Sequence, residues 1–382
     1  MKRVPQSHVY SHSIAPATVL RGDGAWLEAL PTVACLASNA LVLGRSQATR
    51  ALRQQCLQDL AQADIKCTSF ELEFDCCETD LQRIAALAAP AKLSLDAHQE
   101  PPFDAVIAIG GGKVLDAGKL LAHRLGLRCI TVPTSAATCA GWTALANVYS
   151  PQGAFEGDVS LNRCPELLVF DHDFVRQAPA RTLASGIADA MAKWYEASIS
   201  SGNSSDGLIQ QAVQMARVLR DQLLLEAQAA MADPAGEAWV RVAEACGLTA
   251  GLIGGIGGAR CRTVAAHAVH NGLTQLEATH GVLHGEKVGF GILVQLRLEE
   301  LLGGNQLAAQ ARRQLIPLFR ALQLPVELGD LGLHGASLSE LQEVCAFACQ
   351  SGSDLHHLPF AVAPSDLIAA LVSTCSGERV AA

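Results

Sequence analysis

The sequence predicts an α/β N-terminal domain followed by an all-α C-terminal domain, and three observations lead to this fold class. Short apolar runs alternate with helical patterns up to about residue 175, a glycine turn joins one run to a helix, and strand-like runs largely vanish beyond that point. Alternating strands and helices form a parallel sheet covered on both faces. A chain of 382 residues is also long for a single core. We therefore expect two domains, residues 1–178 and 179–382, with the boundary near residues 176–180.

The predicted elements follow in chain order from the spacing of apolar residues. Strands are expected over residues 33–37, 40–44, 66–74, 104–109 and 128–132. Helical patterns open at Arg45 and cover residues 79–93, 117–125, 184–200, 207–231 and 236–252, with more helices after Val288. Residues 251–258 combine glycines with apolar side chains, which favours tight helix packing over a linker.

Composition and charge exclude several classes of function. Half of the residues are hydrophobic and the net charge is −9, whereas general nucleic-acid binding needs a basic surface. No apolar run approaches the roughly 18 residues that a membrane span needs, and the N-terminal residues do not resemble a secretory signal. The thirteen cysteines are odd in number and lack paired spacing, which indicates reduced thiols. We expect a cytoplasmic protein without nucleic-acid or membrane partners.

Three consecutive glycines, Gly110, Gly111 and Gly112, stand where a predicted strand passes into a helix. Glycines at such a turn let the backbone approach an anion, and the helix N-terminus supplies amide donors and a positive dipole. The turn is therefore a candidate for binding the phosphates of a dinucleotide, with Lys113 and Asp116 beside it. The alternative is a plain tight turn, in which Lys113 and Asp116 belong to a solvated helix start.

Four of the twelve histidines, His267, His270, His280 and His284, lie within eighteen residues between apolar segments. They are either hydrogen-bonded core residues or neutral imidazoles, two of which bind a divalent metal ion. A third ligand would then come from elsewhere in the chain. Asp189 stands near the start of an apolar helical segment, where a carboxylate is either that ligand or a partner for the helix dipole.

Five motifs occur in one order along nearly the whole chain. They are Gly-Gly-Gly-Lys-Val-Leu-Asp at 110–116, Val-Pro-Thr at 132–134, Ser-Gly-Ile-Ala-Asp-Ala at 185–190, His-Ala-Val-His-Asn-Gly at 267–272 and His-Gly-Glu-Lys at 284–287. In this order they resemble the glycerol dehydrogenase branch of the iron-containing alcohol dehydrogenase superfamily. The resemblance implies a dinucleotide-binding domain and a helical domain in the dehydroquinate synthase-like fold. It also implies an active site in the cleft between them, a nicotinamide cofactor and assembly into homo-oligomers.

The same resemblance implies a metal site formed by Asp189, His267 and His284. Three protein ligands that leave one position open are typical of catalytic zinc. We therefore expect Zn²⁺ in preference to Fe²⁺, although the ligand set accommodates both. His270 and His280 become candidates for supporting the ligands or relaying protons.

Two departures from the glycerol enzymes favour an anionic substrate. Where those enzymes carry an aspartate near cofactor and substrate, this chain has Cys139, and Lys193 follows Asp189 by one helical turn. Losing an anion and gaining a cation favours a negatively charged substrate by roughly hundredfold or more. The surrounding residues, Ala-Ala-Thr-Cys-Ala-Gly-Trp at 136–142, resemble the hydroxycarboxylate dehydrogenases of this branch, which implies interconversion of a 2-oxo acid and a 2-hydroxy acid. The alternatives are that Lys193 is a surface residue and that Cys139 is a small packing residue.

The preferred nicotinamide cofactor is expected to be NADP rather than NAD. The strand over residues 40–44 ends without an acidic residue and runs into Arg45 and Ser46, which suit a 2′-phosphate. Arg45 is alternatively an ordinary surface residue at a helix start. The residues expected beside the ribose or nicotinamide are Thr134, Ser135, Thr138 and Cys139.

The expected catalytic residues are Lys193, which would attract a substrate carboxylate, and His270, which would offer a route for a proton. Three other functions remain open: a glycerol or polyol dehydrogenase, a sugar-phosphate cyclase (a lyase of the same superfamily) and a non-catalytic relative. The cyclase typically needs basic residues around a substrate phosphate, and no such cluster is evident near Asp189 or His284. A non-catalytic relative would be expected to have lost a ligand.

Overall fold

The computed structural model describes residues 11–88 and 103–374, and all the strands in these ranges lie before residue 172. The strands are β1 (Thr18–Gly22), β2 (Asn39–Gly44), β3 (Lys66–Glu71), β4 (Ala105–Gly110), β5 (Arg128–Pro133), β6 (Leu145–Tyr149), β7 (Phe155–Ser160) and β8 (Leu167–Asp171). The helices are α1 (Ala25–Leu36), α2 (Arg50–Gln62), α3 (Glu78–Ala88), α4 (Gly112–Leu125), α5 (His172–Arg176), α6 (Ala180–Ser201), α7 (Gly207–Ala232), α8 (Glu237–Glu244), α9 (Ala250–Gly257), α10 (Ala265–Leu273), α11 (His284–Leu301), α12 (Gln306–Ala321), α13 (Leu338–Ala348) and α14 (Pro364–Ser373).

Six strands form one parallel sheet in the order β1-β8-β5-β4-β2-β3, while β6 and β7 form a separate antiparallel pair. From β2 the chain moves outward to β3, but from β4 it moves to β5 on the other side. The direction of the connections therefore reverses between β2 and β4. In open parallel sheets, ligands bind outside the carboxyl ends of the strands at such a reversal. Gly44 and Gly110 end these two strands, so a ligand crevice is expected directly beyond them.

Glycines bring α6, α10 and α11 into close backbone contact in the helical half. A Cβ atom at Gly285 of α11 would lie 1.9 Å from the carbonyl oxygen of Ser185 on α6. A Cβ atom at Gly291 of α11 would lie 2.3 Å from the carbonyl oxygen of Ala266 on α10. Since no larger residue fits at these crossings, side chains near them are held at short range from one another.

The predicted helix over residues 236–252 belongs to a continuous helical stretch in which a π-helical segment, Ala245–Thr249, joins α8 to α9. The ring of Phe170 from β8 packs on this segment, where a Cβ atom at Gly247 would lie 2.4 Å from it. Within the described ranges, Glu237–Gly257 is the one helix long and apolar enough to cross a membrane, but 61% of its apolar window is buried inside the protein. Its packing against α7 marks it as a core helix.

The structure corrects several predicted elements. The predicted strand over residues 33–37 is wrong, because α1 extends to Leu36 and buries Trp26, Ala29 and Val33 along one face. Short apolar runs do not distinguish a strand from a buried helix. The helix after the glycine turn begins at Gly112 rather than at residue 117. The predicted helix over 79–93 is α3 up to Ala88, and residues 89–93 lie outside the described part of the chain.

Sequence analysis did not find β1, β6, β7 and β8. Of these, β8 is buried at every residue between β1 and β5, whereas β6 and β7 form a short pair beside the sheet. All four are short runs of five or six residues, which carry little periodicity. The α/β half followed by a helical half nevertheless agrees with the predicted fold class.

The twelve cysteines that the structure describes are all free, and eight of them are buried. Burial raises the pKa of the Cys56 and Cys129 thiols to about 12. These cysteines therefore remain neutral and fill space as small apolar side chains.

Candidate active site

A cleft of about 740 Å³ lies at the carboxyl ends of β2, β4 and β5 and is bordered on its other side by α6, α10 and α11. This volume is typical of a site for a small molecule or cofactor. All but one of the site residues predicted from the sequence line this cleft. These residues are Arg45, Gly110, Gly111, Gly112, Lys113, Asp116, Thr134, Ser135, Thr138, Cys139, Asp189, Lys193, His267, His270 and His284. His280 is not among the lining residues, and its Nε2 lies 3.0 Å from the carbonyl oxygen of Thr274.

Asp189, His267 and His284 converge in the cleft from α6, α10 and α11. The Nε2 atoms of His267 and His284 lie 3.3 Å and 3.5 Å from Oδ1 of Asp189. The three potential ligand atoms all lie within 4.8 Å of one another. Oδ1 of Asp189 is buried and lacks a partner with hydrogen-bond geometry among the described residues. A cation placed between the three atoms would satisfy this oxygen.

The charge of Asp189 is favoured by its surroundings. Burial alone would raise the pKa of this carboxyl group, but the Lys193 ammonium and the two imidazoles hold the pKa well below its usual range. Burial lowers the pKa of His284 despite the neighbouring carboxylate. The site therefore presents an anionic oxygen with imidazole nitrogens beside it, which is the donor chemistry that a divalent metal ion requires.

Glu196 orients His267 and was not identified from the sequence. Its Oε2 lies 2.6 Å from Nδ1 of His267, and its Oε1 accepts the backbone N–H groups of Val264 and His267 at 2.7 Å and 3.0 Å. Burial would lower the pKa of His267, but the Glu196 carboxylate raises it to about 9. Glu196 lies seven residues after Asp189 on α6, so helical periodicity could have placed it on the same face.

His270 lies against His284 in an edge-to-face arrangement, with ring centroids 4.2 Å apart. Burial and the neighbouring His284 hold the pKa of His270 well below its usual range, so its ring is neutral. Nδ1 of His270 lies 2.8 Å from Oδ1 of Asn271, which accepts its hydrogen bond. The neutral ring therefore presents Nε2 as a proton acceptor.

Lys193 is a buried residue of the cleft rather than a surface lysine. Its side chain is 6% exposed, and its Nζ lies 4.0 Å from Oδ1 of Asp189 and 3.5 Å from the carbonyl oxygen of Arg262. Burial is the largest single influence and lowers its pKa, but Asp189, Cys139 and Glu196 together raise the pKa overall, so the ammonium is charged. Burial raises the pKa of the nearby Cys139 thiol, which is therefore neutral.

The three glycines of the turn have different roles. A Cβ atom at Gly110 would lie 2.7 Å from Cβ of Val114, and one at Gly112 would lie 2.7 Å from Oγ1 of Thr138. At Gly111 the nearest atom would be 3.8 Å away, so this residue borders open space. Gly111 immediately precedes α4, whose first amides thus face the cleft. The arrangement leaves room for an anion at the helix N-terminus.

The sequence has no acidic residue next to Arg45, but the fold brings one into contact with it. Asp75, which follows β3, accepts hydrogen bonds from both Arg45 and Lys113 and is largely buried. Its separation from Arg45 along the chain gave no signal in the sequence. Asp116 also has a partner within the protein, since its Oδ1 lies 3.0 Å from Nζ of the buried Lys119. The charged groups at this end of the cleft are therefore paired with one another.

Comparison with known proteins agrees with this fold. Residues 16–172 match the iron-containing alcohol dehydrogenase family. The chain is 52% identical to an uncharacterized oxidoreductase of Synechocystis sp., with 97% of this chain and 93% of that protein aligned. It is 34% identical to hydroxycarboxylate dehydrogenase A of Escherichia coli, with 77% and 78% aligned. It is 33% identical to a glycerol dehydrogenase of Pseudomonas putida, with 93% of each aligned.

A solved structure is similar over almost the full length. It is that of a probable glycerol dehydrogenase from Sinorhizobium meliloti, with a TM-score of 0.81, 28% identity and coverage of 96% of this chain and 98% of that one. The relatives share both the parallel sheet and the helical half, so the likeness is not confined to the nucleotide-binding region. The chain belongs to the iron-containing alcohol dehydrogenase family and is a nicotinamide-dependent dehydrogenase that acts on an alcohol CH–OH group.

Proposed function

We propose that this protein is a metal-dependent dehydrogenase that interconverts a 2-oxo acid and a 2-hydroxy acid. The observation that carries the proposal is the buried ammonium of Lys193, 4.0 Å from Asp189 in the cleft. A charged lysine is seldom buried without a function or a full set of partners. Position 139, where the glycerol enzymes carry an aspartate, holds a neutral thiol. This balance of charge favours a substrate carboxylate over the neutral end of glycerol.

The side chains present fit a divalent metal ion held by Asp189, His267 and His284. The support is the buried, unpartnered Oδ1 of Asp189 together with two Nε2 atoms at short range. Three nitrogen and oxygen ligands favour Zn²⁺ and also accept Fe²⁺. Such an ion supplies Lewis acidity at a carbonyl oxygen, and a nicotinamide supplies or accepts the hydride.

The cofactor is proposed to bind in the crevice between β2 and β4, with its phosphates at Gly111 and the N-terminus of α4. NADP is favoured over NAD because Arg45 and Ser46 line the cleft at the end of β2. Their side chains can donate hydrogen bonds to a 2′-phosphate. The residues proposed for the ribose and nicotinamide end are Thr134, Ser135, Thr138 and Cys139.

Two side chains are proposed to act on the substrate. Lys193 pairs with the carboxylate next to the reacting carbon and so fixes the orientation of the substrate. His270 is neutral and its Nδ1 is held by Asn271, so its Nε2 can accept a proton during oxidation of the alcohol and return it during reduction. Both groups are held by packed helices, which limits the reorganisation that the reaction requires.

The test is to compare the reduction of 2-oxoglutarate by NADPH and NADH with the oxidation of glycerol by NADP+ and NAD+, before and after chelation by EDTA. In Lys193→Met, which keeps the length of the side chain, we expect KM for 2-oxoglutarate to rise about 10- to 100-fold, because a charge-assisted contact is lost. Lys66→Met, on the exposed edge strand β3, is the matched control and should leave KM unchanged. An unchanged KM in Lys193→Met would contradict the role of this lysine.

A glycerol or polyol dehydrogenase is the second candidate. It is favoured by the names of the Pseudomonas putida and Sinorhizobium meliloti relatives, which are called glycerol dehydrogenases. It would require the same metal ligands, so chelation does not separate the two functions. Turnover of glycerol well above that of every 2-oxo acid would favour this candidate and contradict the first.

We also propose the domain boundary, the absence of nucleic-acid partners, the assembly state and the cellular location of this enzyme. Residues 1–178 and 179–382 are proposed to be the two domains, because the described strands all precede this boundary and the cleft is lined from both sides of it. The negative net charge of −9 supports a protein without nucleic-acid partners. Assembly into a homo-oligomer in the cytoplasm is proposed by analogy with the family, and size-exclusion chromatography with light scattering tests the assembly.

A further inference from the structure

We infer that Arg262 binds a second anionic group of the substrate, remote from the reacting carbon, and so selects 2-oxo acids that carry a distal carboxylate. The inference rests on the proposed function and adds a specificity-determining residue to it. Arg262 lies on the segment between α9 and α10, beside the residues that lead into the metal-site helix. Its side chain lines the same cleft as Lys193 and Asp189.

A glycine on the neighbouring helix α9 determines the path of the Arg262 side chain. A Cβ atom at Gly254 of α9 would lie 2.8 Å from Cγ and 2.9 Å from Cδ of Arg262. The glycine therefore makes room for the aliphatic part of the arginine to cross α9 and reach the cleft. Because the stem is fixed by this contact, the guanidinium is presented to the cleft at a low entropic cost.

The guanidinium lacks the partners that its charge requires. Nε of Arg262 is buried without a hydrogen-bond partner, and no carboxylate of the described residues lies within ion-pair distance of this side chain. Asp354 also lines the cleft, but its carboxyl group accepts a hydrogen bond from Thr263 and lies 3.6 Å from His357. The residue as a whole is half-buried, and its buried Nε donor has no partner in the described part of the chain, so an acceptor from outside the chain is expected here.

Lys193 and Arg262 lie at different distances from the Asp189 carboxylate. Lys193 is 4.0 Å from Asp189, whereas Arg262 forms no ion pair with it, so the guanidinium is the more distant of the two. The backbone of Arg262 is nevertheless adjacent to Lys193, whose Nζ is 3.5 Å from its carbonyl oxygen. Since both residues line one cleft, we expect one small molecule to contact both side chains. The planar guanidinium matches a carboxylate through two parallel hydrogen bonds, and a second carboxylate is the group that this site would accept.

The test compares 2-oxoglutarate with 2-oxopentanoate, which has the same chain length but ends in a methyl group. In Arg262→Gln, we expect KM for 2-oxoglutarate to rise about 10- to 100-fold while kcat changes little and KM for 2-oxopentanoate stays the same. Arg262→Lys keeps the charge without the fork and should give an intermediate KM. Arg260→Gln is the matched control, since this arginine is exposed two residues away and does not line the cleft.

The outcomes separate this inference from the proposed function. If the wild-type enzyme reduces both acids and Arg262→Gln raises both KM values equally, or neither, the inference is wrong and the proposed function stands. If the wild-type enzyme reduces neither acid, both are wrong. Bound zinc and the melting temperature of each variant are measured alongside KM, because a misfolded variant would lose both. Arg262→Lys then gives the decisive comparison if Arg262→Gln does not fold.

Discussion

Glu196 shows how a residue that does not line the cleft can control the site. Its carboxylate is fully buried and holds Nδ1 of His267, so that Nε2 faces Asp189. A carboxylate behind a ligating histidine fixes the tautomer of the ring and increases its basicity. The strength of the metal site therefore depends on a side chain that would not itself touch the ion.

Replacing Glu196 by Gln retains the shape of the side chain and removes its charge. We expect the affinity of the apo protein for Zn²⁺ to fall about 10- to 100-fold, as measured by titration against a competing chelator. Glu299→Gln is the control, because Glu299 is a buried acid of α11 whose partners are Gln295 and Asn305. Equal affinities of Glu196→Gln and wild type would contradict the role of this carboxylate.

Asp75 pairs with the two basic residues that we propose as contacts for the cofactor, and so would compete with its phosphates. In Asp75→Asn, Arg45 and Lys113 lose their anionic partner and become free to contact a phosphate. We expect the ratio of kcat/KM for NADPH to that for NADH to rise by roughly fivefold, the value of about 1 kcal/mol for a partly exposed ion pair. Glu78→Gln, which removes the exposed partner of Arg124, should leave the ratio unchanged. A fall in the ratio would contradict this prediction.

The sequence predicted the residues of the site that occur in ordered motifs, and all of them line one cleft. It did not predict Glu196, Asp75 or Arg262, although each of these residues contacts or borders the predicted set. Their importance comes from long-range contacts: Asp75 is 38 residues from Lys113 and Glu196 is 71 residues from His267. Side-chain pairing at such separations leaves no local pattern in the chain.

At the scale of secondary structure, the approach of α6 to α11 sets the distance between Asp189 and His284. Gly285, next to His284, lies against the carbonyl oxygen of Ser185, and its N–H donates to Oγ of the same serine at 3.0 Å. The two helices can come no closer without a clash and no further apart without losing this hydrogen bond. The crossing therefore acts as a fixed spacer for the metal site.

In Gly285→Ala, the added methyl group must push α11 away from α6. We expect a loss of about 1–3 kcal/mol in the free energy of unfolding, together with weaker Zn²⁺ binding, because His284 moves with the helix. Denaturant unfolding and metal titration measure the two effects. Gly207→Ala is the matched control, since no atom lies within 4 Å of its Cβ position and alanine favours a helix. If both variants behave alike, the spacer role is wrong.

Helices and strands with strong periodicity or clear capping and turn residues were predicted well, and short elements were not. Helix α7 was predicted from residue 207, where it begins, because Asp206 caps it and its apolar positions repeat over many turns. The error at residues 33–37 arose because a short apolar run does not distinguish a strand from a buried helix, and α1 continues through Pro31 to Leu36. Packing of α1 on β8 overrides that local signal.

At the scale of the whole molecule, a bound ion would join α6, α10 and α11, which are separated by long stretches of chain. Zn²⁺ at 100 times its dissociation constant should stabilise the folded state by about 2.7 kcal/mol, because it binds only the native arrangement. We expect a rise of several degrees in the melting temperature of EDTA-treated protein when Zn²⁺ is added. Asp189→Asn should show a much smaller rise, and an equal rise in both proteins would place the ion elsewhere.

Sequence analysis predicted four of the strands and several of the helices from local patterns, whereas the position of the cleft depends on topology. The connections reverse direction because β4 pairs with β2 rather than with β3. The order of the strands along the chain does not determine which of these two strands β4 pairs with. The cleft was therefore predicted from the family resemblance and not from the order of the strands.

Because its interior cysteines are buried, the reactivity of these thiols can report transient opening of the native state. Within the described residues only Cys35, on α1, is exposed, whereas thiols such as Cys56 and Cys129 are enclosed in the interior. Among the described cysteines, a maleimide should therefore modify Cys35 before the enclosed thiols, which it reaches only when the native state transiently opens. The rate of the slow phase of labelling would measure the rate of that opening. A fluorophore attached to Cys35 would not contact the cleft.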